Sequence, residues 1–102
     1  MPKKTMELLT ESMFYVLMAF MKRPMCGTEI VSFIDSRTEG RVRMGPATLY
    51  TILGKFEQEK LIRETEVEGR KRTYAITEKG KEVYLEEIER LKRCLQDASY
   101  DM

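Results

Sequence analysis

Thr48, Tyr50, Thr51 and Lys55 stand close together just after a Gly45–Pro46 pair, flanked upstream by Arg41 and Arg43 and downstream by Arg70, Lys71 and Arg72. Hydroxyls at this spacing can donate to phosphate oxygens or base edges, and the cations can neutralise phosphates. That is recognition chemistry rather than bond-making chemistry. The chain has no histidine, no nucleophile beside a base and no glycine-rich phosphate loop followed by lysine, so an enzyme is not expected. Its two cysteines, Cys26 and Cys94, would need carboxylates to complete a metal site, so neither metal nor cofactor is expected. Both thiols read as buried or half-buried.

These side chains need elements to hold them. Proline suits the first turn of a helix, where its missing N–H would have no partner. A helix is therefore expected over about 46–60. Leu49, Ile52, Leu53 and Phe56 repeat at i, i+3, i+4 and i+7, one buried stripe. The opposite side carries Ala47, Thr48, Thr51, Gly54, Lys55 and Gln58, with Tyr50 on the flank. This outer face is small, hydroxylated and free of acid until Glu57.

Upstream, a basic leader over 1–9 gives way to Thr10, a good N-cap, and to a helix over about 11–22 expected to bury Met13, Phe14, Leu17, Phe20 and Met21. A second helix is expected from Gly27 to Ser36 with Ile30, Val31 and Ile34 inward. The basic loop that follows alternates around Val42 and Met44 and suggests a very short strand there. After Lys60 the period changes to two. Ile62, Glu64 and Glu66 fall on one side, and Leu61, Arg63, Thr65 and Val67 on the other. A second alternating run contains Tyr74 and Ile76, and the two runs read as a hairpin with Gly69 at a basic tip. From Thr77 to about Ala98 the pattern is helical again, although Gly80 weakens its first turn. Tyr84, Ile88, Leu91, Leu95 and Ala98 step by 4, 3, 4 and 3, a heptad seam that needs a partner surface. That surface is either the first helix or a second copy of the chain.

The 102 residues suffice for one domain, and no apolar run is long enough to span a bilayer. No leader with a cleavage site is evident, and the chain is expected to be cytoplasmic. A net charge of +1 conceals segregation: residues 1–77 hold 13 Lys/Arg against 10 Asp/Glu, whereas 78–102 hold 5 against 7. Local potential, not the total, governs phosphate binding, so the charge pattern permits nucleic acid as a partner.

Helix, helix, helix, hairpin is the order of a winged helix-turn-helix domain. The expected fold is mainly α with a small β-hairpin: a winged helix-turn-helix over 1–77 and an appended C-terminal dimerisation helix over 78–102. In that geometry the third helix enters the major groove and the hairpin reaches phosphates or a neighbouring groove. Thr48, Tyr50, Thr51 and Lys55 would face DNA, Arg70, Lys71 and Arg72 would form the wing, and Arg41 and Arg43 would touch phosphates.

The segments "LTESMFYVLMAF", "PMCGTEIV", "GRVRMGPATLYTILGKFEQEKLI" and "GRKRTYAITEKGKE" resemble the PadR-like transcriptional regulators over nearly all of residues 7–92. Cys26 and Thr28 depart from the usual pattern, in which histidine and tyrosine are common at these places. The resemblance implies a homodimer that binds pseudo-palindromic operator DNA, usually as a repressor, and in many members a small hydrophobic or phenolic effector that releases it. The single terminal helix resembles the compact subfamily, in which that helix dimerises against the partner's first helix. Dimer contacts would then fall on Tyr84, Ile88, Leu91, Leu95 and Phe14. An effector would be lined by Phe14, Tyr15, Met18, Tyr84 and Ile88, with Tyr100 a further aromatic. The eight methionines read first as core filler. A winged helix that binds protein instead of DNA is the alternative, but it has no need of a basic wing beside a smooth third helix.

Overall fold

The computed structural model describes residues 9–101, so the leader read over 1–9 lies, but for Leu9, outside them. Among the described residues four helices and three short strands follow one another as α1 (Glu11–Lys22), β1 (Met25–Cys26), α2 (Gly27–Thr38), α3 (Pro46–Gln58), β2 (Ile62–Glu68), β3 (Lys71–Ile76) and α4 (Glu78–Ser99). The strands form one antiparallel sheet in the order β1-β3-β2. This is a winged helix-turn-helix with an added C-terminal helix.

Local chemistry starts and stops the elements. Thr10 accepts the Met13 N–H at 3.1 Å and caps α1, and Glu11 sits in its first turn where the helix dipole favours an acid. Cys26 precedes α2, and its own N–H donates to Glu29 Oε1 at 3.0 Å, the returning half of a capping box. The α3 helix ends in a Schellman motif, with Lys60 N–H on the Glu57 carbonyl at 3.0 Å and Leu61 N–H on that of Phe56 at 2.8 Å. Lys60 itself takes the left-handed conformation at φ 64°, a position usually given to glycine. Thr77 then caps α4 by accepting the Gly80 N–H at 3.0 Å, while its hydroxyl donates to the Lys60 carbonyl at 2.7 Å. One side chain therefore joins the foot of the hairpin to the start of α4.

The core gathers Val16, Leu17, Ala19 and Phe20 of α1, Ile30 and Ile34 of α2, and the predicted stripe Leu49, Ile52, Leu53 and Phe56 of α3, with Leu61 just ahead of the sheet and Ile62 and Tyr74 from it. Each of the larger aliphatic or aromatic side chains among them contributes about 1.5–3 kcal/mol by leaving water. The buried arc of α1 is centred between Val16 and Phe20. Phe14, Met18 and Met21 consequently share its other side, and Met21 is exposed rather than buried as its spacing suggests.

Three further expectations are corrected. Val42 and Met44 are buried and alternate with exposed arginines, but they form no strand because no strand among the described residues lies beside them; the third strand is β1, which pairs with β3 through Met25–Tyr74 and Cys26–Thr73. The alternation of β2 runs only to Glu64, because a bulge leaves Thr65 between the Glu64–Tyr74 and Glu66–Thr73 pairs. Cys94 is exposed on α4, whereas Cys26 is buried. Gly80 is also more than a weak point in a helix. A Cβ there would overlap the Leu61 carbonyl oxygen, so glycine is what lets α4 press against the foot of the wing.

Candidate nucleic-acid interface

The third helix presents Thr48, Tyr50, Thr51 and Lys55 to solvent, with Tyr50 67% exposed. The hairpin turns through Gly69 and Arg70, and Gly69 supplies the positive φ of 64° that a two-residue turn needs at its first position. Everything from Thr65 to Arg72 is exposed, so the tip stands clear of the core.

A groove of about 670 Å³ runs between the two elements. Tyr50 and Leu53 of α3 line one wall, Arg70, Lys71 and Arg72 the other, and Cys26, Gly27 and Thr28 at the start of α2 close it, with Tyr74 beneath. The predicted wing cations and Tyr50 are thus brought to one place. Thr48 and Thr51 are not: they border a separate shallow groove with Thr10, Ser12 and Met13 of the α1 start. Lys55 is exposed further along α3. The third helix therefore offers two edges, one aromatic and facing the wing, the other hydroxylated and facing α1.

The cations differ in how they are held. Arg70 and Lys71 make no ion pair among the described residues, whereas Arg72 Nη1 donates to Glu64 Oε2 across the hairpin at 3.1 Å. Arg41 lies 3.7 Å from Glu11 of α1 and donates to the Tyr15 hydroxyl at 3.3 Å. That hydrogen bond, before the charge of Glu11, holds the guanidinium above its ordinary pKa. Arg43 Nε lies 3.5 Å from Asp35 of α2. At the start of α2 the Cys26 N–H holds the Glu29 carboxyl below its ordinary value. In the wing's floor, burial pushes the Tyr74 phenol up, so Tyr74 stays a neutral wall.

Nothing in the sequence pattern marks Tyr74 and Leu53 as groove lining, because both read as core. Positions 26 and 28 stand out only as departures from the resemblance, and that departure is the one signal the sequence offers for them.

Of the residues expected to dimerise or to hold an effector, Phe14 of α1 and Tyr84 of α4 meet between those two helices. Phe14 and Tyr84 stack on each other, centroids 5.1 Å apart and planes 19° apart, and Tyr15 meets Phe14 edge-on at 5.9 Å. Met18 Sδ accepts from Arg37 at 3.8 Å. Tyr84 is buried, Ile88 and Leu91 are half-buried, and Leu95 is 71% exposed. The seam accordingly packs back on α1 at its start and emerges into solvent at its end.

The family model for the PadR-like transcriptional regulators matches residues 16–86. The chain belongs to that family. No curated protein matches the chain. Among solved structures, this PadR-like chain superposes on a transcriptional regulator of Clostridium thermocellum with a TM-score of 0.78 at 22% identity, over 86% of this chain and 89% of that one. A PadR-like transcription factor of B. fragilis gives 0.76 at 19% identity, over 89% of both chains. Bacillus subtilis PadR in complex with operator DNA gives 0.66 at 20% identity, over 76% of this chain but 46% of that one. At these identities the likeness shows a shared winged-helix fold. No helix among the described residues is long and apolar enough to cross a membrane.

Proposed function

We propose that this PadR-like chain is a dimeric, sequence-specific DNA-binding regulator, a cytoplasmic repressor of transcription. The observation that carries the reading is the groove in which Tyr50 of α3 faces the cations Arg70 and Lys71 of the wing. A helix edge for a base-lined groove and a cationic arm for the flanking phosphates are the two parts that winged-helix recognition needs. Thr48, Thr51 and Lys55 extend the helix surface toward DNA, and Arg41, Arg43 and Arg72 add phosphate contacts once their carboxylate partners release them. The B. subtilis relative, solved with operator DNA, supports the same reading.

Residues 1–77 serve as the DNA-binding unit and 78–102 as the dimerisation element. Leu91 and Leu95 emerge from the chain's own core, and Phe14, which stacks on Tyr84 of α4, shares one side of α1 with Met18 and Met21. A second copy can cover both strips at once. An effector of the small hydrophobic or phenolic class would enter at the Phe14–Tyr84 stack, where a planar ring can replace one ring face with its own.

The test is a gel-shift titration against the DNA immediately upstream of the protein's own gene, at two salt concentrations and with non-specific competitor. A tight, salt-sensitive shift that survives competition is expected. Absence of any shift at low salt, from a protein shown to be a folded dimer, would transfer the winged helix to a protein partner.

A further inference from the structure

The loop between α2 and α3 holds two arginines in a manner that phosphate binding does not require. Its backbone is fixed: Thr38 accepts the Val42 N–H at 3.1 Å and donates to the Ile34 carbonyl at 2.8 Å, and Val42 and Met44 are buried. Arg41 and Arg43, beside these anchors, reach to different helices: Arg41 to the Tyr15 hydroxyl and Glu11 of α1, Arg43 to Asp35 of α2. Both pairs are open to water, with arginine side chains 63% and 79% exposed and carboxylates 68% and 55% exposed. A phosphodiester, like the carboxylate it would displace, spreads one negative charge over two terminal oxygens, and arginine pairs with either group.

We propose that Glu11 and Asp35 act as internal stand-ins for DNA phosphate, holding Arg41 and Arg43 until a duplex takes them over. The proposal rests on the DNA-binding reading above and adds its regulation. Each handover exchanges an existing ion pair for a new one, so the loop contributes less to affinity than its two cations suggest. The restraint acts on backbone contacts and therefore on every DNA sequence alike. Arg70 and Lys71 carry no such restraint, because no carboxylate pairs with them among the described residues.

The experiment is fluorescence-anisotropy binding of the full chain to a labelled non-specific duplex at low salt. The proteins compared are wild type, Glu11→Gln, Asp35→Asn, Arg41→Ala, the Glu11→Gln/Arg41→Ala double variant and Glu39→Gln. Glu39 belongs to the same loop and makes no ion pair among the described residues, so it reports the effect of removing a negative charge alone. Glu11→Gln and Asp35→Asn are each expected to tighten binding about threefold, the range of an exposed ion pair, and to exceed Glu39→Gln. In the Arg41→Ala background the Glu11→Gln gain is expected to fall to that of Glu39→Gln. A gain no larger than that of Glu39→Gln, or one that persists unchanged without Arg41, overturns the proposal while DNA binding stands. A wild-type chain that binds no duplex overturns the DNA-binding reading itself, and this one with it. Circular dichroism of each variant confirms the fold, which exposed positions are expected to leave intact.

Discussion

The wing and the loop ahead of α3 carry the same kind of side chain on opposite kinds of support. The wing tip is exposed throughout, and its cations Arg70 and Lys71 face a groove with no carboxylate partner among the described residues. The loop is pinned by Thr38, Val42 and Met44, and both of its arginines are tethered by acids from other helices. A cation on a clear arm is available at once, whereas a tethered cation must first lose a partner. Counting basic residues along the chain treats the two regions as equal; the carboxylates that face them make them unequal.

The largest expected effect breaks this comparison at the wing. Replacing Arg70 and Lys71 together by alanine should weaken duplex binding roughly 10- to 100-fold and flatten the plot of log K against log salt by about 0.9 for each phosphate no longer neutralised. Arg72→Ala alone should cost less than Arg70→Ala alone, because Arg72 is already paired with Glu64 at 3.1 Å. Salt titrations of the variants measure both quantities. Equal losses at Arg70 and Arg72 would mean that the hairpin pair opens freely.

The wing is free only at its tip. Its foot is gripped by Thr77, which bonds the Lys60 carbonyl, and by Gly80, which admits the Leu61 carbonyl against α4. Gly80→Ala should therefore destabilise the chain by about 2 kcal/mol through overpacking, against a gain of about 1 kcal/mol that helix propensity alone would give. Chemical denaturation decides the sign. A more stable variant would show that the crowding relaxes, and that the foot of the wing is not a fixed point.

Gly80 also illustrates which parts of the fold were legible in the sequence. The α3 stripe, the Thr10 and Thr77 caps and the order of elements follow from spacing and from side chains a few residues apart. Local signals of that kind are written in the chain. The two-residue β1 has no room for an alternation, so only its partners Tyr74 and Thr73 define it. Lys60 adopts a left-handed turn without the glycine that would announce it. Glu11 and Arg41 pair, and Tyr50 and Arg70 come to line one groove, only after the chain has folded. The wing cations and Tyr50 are legible because residue type alone marks them; the tethering of Arg41 and Arg43 is not, because it belongs to pairs distant in the chain. Nor does the seam on α4 announce where it changes partner, since Tyr84 and Leu95 have the same character and differ only in what lies opposite.

The smallest expected effect sharpens the comparison at the loop. Thr38→Val keeps the shape of the side chain but leaves the Val42 N–H without its 3.1 Å acceptor in a buried place. An orphaned buried donor costs about 1–3 kcal/mol, and a low value is expected because the loop tip can turn toward water. At about 1 kcal/mol the melting temperature of a domain this size should drop by roughly 4–8 °C. Amide exchange at Val42 should quicken while that of Leu49 in α3 stays protected, since the Leu49 N–H bonds the Gly45 carbonyl at 3.0 Å independently of Thr38. If Val42 remains protected in the variant, burial of Val42 and Met44 alone fixes the loop. The arginines would then be aimed by core packing, and the hydroxyl would be incidental to the difference between loop and wing.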